Sequence, residues 1–143
     1  MKSDKNKIYG QYFTPENIAE FMVNLITKPK TSLVLEPCAG KGVFLKALSG
    51  KGYNNIFAYE IDNELNNESR VKIIYEDFLS TSINDKFDVI IGNPPYVRWK
   101  NIPLAMKDKF ISNSYWSKNN GLNDLLYFFI IHSVNKLNDN GEL

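Results

Sequence analysis

The chain has 143 residues, a formal net charge of +1 and 43% hydrophobic residues. A chain of this length can form one domain with a sizeable core, and its composition is that of a soluble globular protein. The small charge excludes a strong overall field, so any contact with nucleic acid must come from a local patch. The single cysteine excludes an internal disulfide framework and suits a reducing cytoplasm, and no apolar run predicts membrane contact.

The first predicted helix follows a short loop near the N-terminus. Residues 1–7 are polar and predict a frayed end. Thr14 is of the type preferred at a helix N-cap, and Pro15 then takes the first helical position. Apolar residues at helical spacing predict an amphipathic helix that ends before Pro29, with a packing face made of Ile18, Phe21, Met22, Leu25 and Ile26.

A strand, a glycine turn and a helix come next in the chain. Residues 33–35 are apolar and lead to Glu36, residues 37–42 contain two glycines, and residues 43–48 open a helix. Glycines here let the backbone approach a ligand beside a helix N-terminus. The spacing matches neither the dinucleotide fingerprint nor the Walker A phosphate loop. A ligand without phosphates needs neither motif, and Glu36 would receive its amino group.

The second predicted strand, residues 55–60, ends in an acidic residue. Glu60 lies about 20 residues past the glycine turn, where nucleotide-binding sheets hold ribose hydroxyls. If a nucleoside binds there, Ile61 would contact its base. Asp62 suits helix capping and a functional role equally.

Residues 72–75 predict a third strand, and Asp77 and Phe78 follow it. Phe78 suits a ring contact with the ligand, and an ordinary place in the core suits it nearly as well. Cys38 and His132 are far apart in sequence, which argues against a nucleophilic or metal site built from them.

The fourth predicted strand leads into the most informative motif of the chain. Residues 87–91 form the apolar run of a covered parallel strand, and two prolines then end it. Ligands bind at this carboxyl edge in open α/β sheets. Asn93 and the carbonyl group of Pro94 offer two acceptors, and Tyr96 offers an aromatic face. The combination suits a planar base that carries an exocyclic amine.

Two cations flank a tryptophan directly after this motif, at Arg98, Trp99 and Lys100. One interpretation is a DNA surface, where phosphates take the charges and a base or sugar takes the ring. The other is an amphipathic loop that covers the pocket. The position beside the proposed base pocket favours DNA.

The C-terminal third of the chain predicts two helices separated by a loop. Residues 103–112 predict a short helix, and residues 115–121 a polar, aromatic loop. Residues 124–137 predict a strongly apolar helix packed on the sheet, with Gly141 near its C-terminal cap.

Three segments of the chain resemble motifs of one enzyme family. Asn-Pro-Pro-Tyr after a hydrophobic strand resembles the catalytic motif of S-adenosylmethionine-dependent amino methyltransferases, most closely the DNA adenine-N6 methyltransferases of restriction–modification systems. Residues 36–45, Glu-Pro-Cys-Ala-Gly-Lys-Gly-Val-Phe-Leu, resemble the cofactor motif. Residues 10–15, Gly-Gln-Tyr-Phe-Thr-Pro, resemble the segment that covers the methionine end of the cofactor. The order of these motifs is similar to the gamma arrangement of the family.

This resemblance implies methyl transfer from S-adenosylmethionine to the N6 amine of an adenine flipped out of double-stranded DNA. It assigns catalysis to Asn93, Pro94, Pro95 and Tyr96, DNA binding to Arg98, Trp99 and Lys100, and no metal. The cofactor-binding residues that it implies are Tyr12, Phe13, Thr14, Glu36, Pro37, Cys38, Ala39, Gly40, Gly42, Glu60, Ile61, Asp77, Phe78 and Asn93. Under this assignment, Asn93→Ala is expected to abolish transfer and leave cofactor binding nearly intact.

The resemblance also implies an α/β, Rossmann-like methyltransferase fold, with a mainly parallel sheet of order 3-2-1-4 and flanking helices. Family members begin their fifth strand where this chain ends, so residues 1–143 are expected to form a partial methyltransferase domain. The fourth strand would then lie at an open edge, which predicts self-association. A C-terminal half or a specificity subunit is the further partner implied.

Other functions stay open at this point. The Asn-Pro-Pro-Tyr motif fits any planar amide or amine, so methylation of RNA or of a protein glutamine is an alternative. An inactive cofactor-binding fragment or subunit is another.

Overall fold

The computed structural model of the chain describes residues 10–82, 84–111 and 124–143. The predicted frayed end and the loop predicted at residues 115–121 lie outside this part. The described residues contain a parallel four-stranded sheet in the order β2-β1-β3-β4. Its strands are β1 (Val34–Glu36), β2 (Ile56–Ala58), β3 (Phe87–Ile90) and β4 (Leu137–Glu142).

Helices cover both faces of this sheet. They are α1 (Glu16–Asn24), α2 (Val43–Gly50), α3 (Leu104–Ile111) and α4 (Leu125–Val134), with 3-10 turns at Phe78–Ser80 and Trp99–Asn101. Residues Val34 and Val89 share one core cluster with buried side chains of α1 and α2. Leu35 and Ile90 share another with buried side chains of α4. Because β1 is central and covered on both sides, all three of its residues are buried.

The packing face of α1 agrees only in part with the predicted one, since Met22 and Ile26 pack against the core cluster as predicted. Ala19 and Val23 are the buried residues of this helix, whereas Ile18, Phe21 and Leu25 are exposed. Small side chains one turn apart allow the helix to approach its neighbour closely, and this outweighs the larger apolar residues. The short ion pair of Glu16 with Lys46 of α2 (2.7 Å) lies beside the same contact.

The start of α1 also differs from the predicted one. Pro15 occupies the cap position and makes no side-chain capping bond, and the helix begins at Glu16. The Thr14 hydroxyl group, predicted as the cap, instead accepts a hydrogen bond from Asn93.

The predicted strand order 3-2-1-4 is confirmed, although the third strand is reduced. Residues 72–75 form a single parallel bridge between Ile74 and Tyr59, beyond β2. The backbone N–H of Ile74 donates to Ala58 (2.8 Å), and that of Glu60 donates to the Ile74 carbonyl (3.1 Å). Tyr75 and Lys72 are exposed at this edge, so little burial supports a longer ladder.

The predicted helix over residues 124–137 ends at Val134, and Gly141 is not its cap. Residues Leu137–Glu142 form β4, which pairs with β3. The Asn138 side chain donates to Asp88 of β3 (2.8 Å), and the N–H of Phe87 donates to the Lys136 carbonyl (2.8 Å). This pairing satisfies backbone groups of β3 that would otherwise lack partners. The prediction of an open edge at the fourth strand was therefore wrong.

Within the described ranges, no helix is both long enough and apolar enough to cross a membrane.

Candidate active site

One pocket lies at the carboxyl ends of three neighbouring strands. Cys38 follows β1, Glu60 and Ile61 follow β2, and Asn93 follows β3, and all four residues line this pocket. The carboxyl ends of parallel strands meet at the same edge of a sheet, which is where open α/β folds bind ligands. The structure thus brings predicted cofactor residues and the predicted catalytic asparagine into one cleft. Other predicted site residues in its lining are Tyr12, Phe13, Pro37, Gly40, Asp77, Phe78 and Pro95.

Residues 10–14 cross this cleft, and we call them the strap. The Asn93 side chain donates through Nδ2 to the Tyr12 carbonyl oxygen and to Oγ1 of Thr14, both at 3.2 Å. Gln11 Nε2 donates to a carboxylate oxygen of Asp62 at 3.4 Å. Hydrogen bonds therefore hold the strap at both walls of the cleft.

Gly10 allows the strap to begin close to the catalytic motif. Its φ is +59°, and a Cβ atom there would lie 2.7 Å from Cγ2 of Val97 and 3.0 Å from the backbone nitrogen of Tyr96. Only glycine combines this conformation with such a close approach.

Glu60 connects the glycine turn to the end of β2. Its Oε2 accepts the N–H of Gly40 (2.7 Å), and its Oε1 accepts the N–H of Asp62 (2.9 Å). Gly40 and Gly42 have φ values of +55° and +85°, as the predicted turn requires. Ala39, in the same turn, is buried and lines a second cavity that adjoins the strap.

Glu36 is completely buried and does not line the pocket. Its Oε1 accepts the backbone N–H of Cys38 (3.2 Å) and lies 3.6 Å from the Cys38 thiol. Among the described residues, Oε2 has no hydrogen-bond partner. Burial raises the pKa of Glu36 to about 8, and burial with the nearby carboxylates also raises the pKa of Cys38. An ammonium group brought to Oε2 would supply the donor that this buried oxygen lacks.

Gly92 leaves the space that Glu36 occupies. A Cβ atom on Gly92 would lie 2.3 Å from Glu36 Oε1 and 3.3 Å from the Pro37 ring. We expect Gly92→Ala to lower the free energy of unfolding by about 1–3 kcal/mol, because a packed core must shift. Urea unfolding measures this. Gly50→Ala is the matched control, since a Cβ atom there meets nothing within 4 Å; equal losses in both variants would contradict the argument.

Ile61, Asp77 and Phe78, which follow β2 in the chain, form another part of the pocket wall. Ile61 is exposed in the pocket, and Phe78 is buried in the core cluster while also lining the pocket. The Asp77 side chain accepts the backbone N–H of Leu79 (3.1 Å) and so caps a 3-10 turn. Asp62 accepts the N–H of Glu64 (3.1 Å) within a turn, and no helix follows it directly in the described chain, so it does not cap a helix as one interpretation predicted.

The Asn-Pro-Pro-Tyr motif places Asn93 in the pocket lining and leaves the Tyr96 ring exposed. Both described hydrogen bonds of Asn93 come from Nδ2, an assignment that follows from the bonding network, so Oδ1 is the acceptor it presents. Pro95 lines the pocket, and Pro94 is half-buried outside its lining. The Tyr96 ring is 54% exposed.

The predicted DNA-binding residues lie in and before the second 3-10 turn. Arg98 and Lys100 are exposed, as phosphate contacts require. Trp99 is half-buried, with its ring centroid 6.3 Å from that of Phe128 and Lys107 Nζ 5.2 Å from its own centroid. Its ring therefore takes part in packing within the fold.

Apolar residues to which the sequence analysis gave no role in the site also line the pocket. They include Ile102, Met106, Leu125 and Phe129. The N–H of Leu125 donates to the Val97 carbonyl (2.8 Å), which ties the start of α4 to the loop after the catalytic motif. Nothing in their spacing distinguishes a pocket wall from a core, because both are apolar.

In the part of the chain that the structure describes, no cluster of three His, Cys, Asp or Glu residues could hold a metal ion.

A family model described as Eco57I restriction-modification methylase matches residues 6–143. The chain is 42% identical over its full length to the type II methyltransferase M.HincII of Haemophilus influenzae, and it spans 28% of that relative.

Among solved structures, the chain resembles a class I S-adenosylmethionine-dependent methyltransferase of Listeria monocytogenes, with a TM-score of 0.65 and 18% identity. The match covers 90% of this chain and 44% of that one. It also resembles a type I restriction-modification methyltransferase subunit of Streptococcus thermophilus, with a TM-score of 0.63 and 20% identity over 92% of this chain and 33% of that one. These likenesses show the fold.

Proposed function

The chain belongs to the Eco57I restriction-modification methylase family, and on this premise we propose that it methylates the N6 amine of adenine in double-stranded DNA. The family and the fold imply S-adenosylmethionine as the cofactor. The chain spans about 28% of the curated relatives it matches, so we assign residues 1–143 to part of a methyltransferase domain within such an enzyme.

Residues around the pocket supply the groups that this cofactor needs. Glu60 would accept hydrogen bonds from ribose hydroxyls, because each carboxylate oxygen retains acceptor capacity beside its backbone bond. Ile61 and Phe78 would contact the adenine ring, and Asp77 its amine. Bound there, S-adenosylmethionine supplies a methyl group on a sulfonium sulfur that is already a good leaving group.

The buried Glu36 carboxyl supports the placement of the amino group of the cofactor. Burial raises the pKa of Glu36 to about 8, which means that the surrounding groups do not offset the cost of ionising this carboxyl. A cation at Oε2 would favour the ionised carboxylate and remove this cost of burial.

Asn93 would orient the target amine. Its Nδ2 is engaged by the strap, so Oδ1 would accept one amine hydrogen, and the Pro94 carbonyl oxygen would accept the other. This alignment points the nitrogen lone pair at the methyl group, and alignment supplies most of the rate enhancement expected for such a transfer. Tyr96, exposed beside the pocket, would stack on the base.

The location of Asn93 supports base flipping. It lines a cleft between the strap and the end of the sheet, and an adenine inside a duplex could not reach a recessed amide oxygen. Arg98 and Lys100 are exposed on the loop that follows the motif and would contact phosphates. Because the Trp99 ring packs on Phe128, we propose that Trp99 stabilises this loop.

The observation that carries the proposal is the shared pocket of Glu60, Asp77 and Asn93. Its test is tritiated-methyl transfer to duplex DNA by the intact protein, followed by digestion to nucleosides. We expect the label in N6-methyladenine. Label in cytosine would reject the adenine assignment. Transfer to RNA or to protein glutamine, with none to DNA, would favour the alternative substrates.

A further inference from the structure

The ring of Tyr12 lies on the side of the strap that faces the catalytic motif. It is 70% exposed, and its centroid lies 6.2 Å from that of Tyr96 with an interplanar angle of 75°. Tyr96 is itself 54% exposed. Two accessible aromatic rings in edge-to-face contact therefore stand together next to Asn93.

The ring of the neighbouring residue, Phe13, lies against the glycine turn and not against Tyr96. Lys41 Nζ is 4.9 Å from its centroid, and a Cβ atom built on Gly40 would lie 3.7 Å from its ring atoms. Consecutive side chains of a non-helical segment point in different directions, which separates these two rings. The sequence assigned both residues to the cofactor, and both line the pocket, but only Phe13 also lies against the glycine turn.

Asn93, the residue proposed to accept a hydrogen bond from the target amine, also holds the backbone of Tyr12. Asn93 Nδ2 donates to the Tyr12 carbonyl oxygen at 3.2 Å, while Oδ1 of the same amide is the proposed acceptor for the base. The Tyr12 ring is therefore tied to a backbone position held by Asn93. A planar purine held by Oδ1 would come within reach of both tyrosine rings.

We propose that Tyr12 contacts the flipped purine together with Tyr96 and so belongs to the DNA side of the site. This inference rests on the proposed function. Aromatic rings prefer edge-to-face or offset contacts, and the observed Tyr12–Tyr96 geometry is one that either ring can offer to a base.

The test measures KM separately for duplex DNA and for S-adenosylmethionine, using the intact protein and mixed-sequence DNA without N6-methyladenine. We expect Tyr12→Ala to raise KM for DNA about tenfold and to leave KM for the cofactor within about twofold. Tyr12→Phe should keep the wild-type values, because the ring and not the hydroxyl makes the contact. Phe13→Leu, one residue along, should show the opposite pattern.

A larger rise in the cofactor KM than in the DNA KM for Tyr12→Ala would overturn the inference, as would unchanged values. Asn93→Ala in the same assay separates this failure from that of the proposed function. If Asn93→Ala loses transfer while Tyr12→Ala does not, only the Tyr12 assignment fails. Because Tyr12 is mostly exposed, thermal unfolding of Tyr12→Ala should match wild type, and Tyr12→Leu, which keeps bulk without a ring, should still raise KM for DNA.

Discussion

Replacing Glu36 with glutamine should stabilise the folded chain at pH 8 and weaken its binding of S-adenosylmethionine. Glu36 is completely buried, and burial raises its pKa from 4.5 to about 8. A glutamine has nearly the same shape and never ionises, so it avoids the cost of a buried charge. It also lacks the negative charge that would form an ion pair with the amino group that we place at Oε2.

The sign of the pH dependence follows from proton linkage. Between pH 4.5 and 8 the unfolded chain has lost the Glu36 proton and the folded chain keeps it, so the free energy of unfolding falls as pH rises. The limiting slope for one such group is about 1.4 kcal/mol per pH unit. The contribution is fully present below pH 4.5 and is lost as pH rises towards 8.

Thermal unfolding at pH 5 and pH 8 measures the first effect. We expect Glu36→Gln to have a melting temperature at least about 5 °C above wild type at pH 8, and a smaller difference at pH 5. Calorimetric titration measures the second, and we expect the cofactor Kd to rise at least roughly 30-fold, the loss typical of a buried charged partner. Glu20→Gln, on the exposed surface of α1, is the control for both.

Two outcomes would contradict this account. The first is a stability that rises more between pH 5 and pH 8 in the wild-type protein than in Glu36→Gln. That result would mean that Glu36 is ionised in the folded chain. Unchanged cofactor affinity in Glu36→Gln would place the amino group elsewhere.

Asn93→Ala should abolish methyl transfer and also weaken cofactor binding. The sequence suggested that cofactor binding would survive this change. In the structure, Asn93 Nδ2 holds the strap at Tyr12 and Thr14, and the strap covers the cleft. Loss of the amide oxygen should lower kcat by about 10²–10³-fold, as for other groups that stabilise a transition state. Loss of Nδ2 should release the strap.

Thr14 separates the two roles of Asn93. Thr14→Val removes the hydroxyl acceptor on the strap and leaves the Asn93 amide in place. We expect the cofactor Kd to rise by about 3- to 10-fold, the worth of one net hydrogen bond, with kcat within about threefold of wild type. Thr14→Ser keeps the hydroxyl and should restore binding. A Thr14→Val variant that binds the cofactor normally would show that this bond does not hold the strap closed.

Most of the fold could be predicted, because its strands are short apolar runs that end in glycine, proline or acid. The order of β2, β1 and β3 agrees with the one that the family resemblance implied. The prediction was wrong at β4, because Leu137–Glu142 is polar and has no strand pattern of its own. Backbone groups on the edge of β3, together with Asp88, recruit this segment from outside.

The candidate site shows the same division. Glu60, Asp77 and Asn93 were recognisable because each follows a strand, and strand ends converge in a parallel sheet. The apolar part of the pocket wall at Met106 and Phe129 was not recognisable from the sequence. An apolar residue type does not indicate whether the side chain faces the core or a ligand.

The sequence by itself determined the family, the parallel sheet and the residues that follow its strands, since these depend on local apolar runs, glycines and prolines. The tertiary structure alone decided which groups are already engaged. It buried Glu36, joined Asn93 to the strap and turned Tyr12 away from Phe13. These outcomes depend on contacts between segments about 50 to 80 residues apart, and no local pattern specifies them.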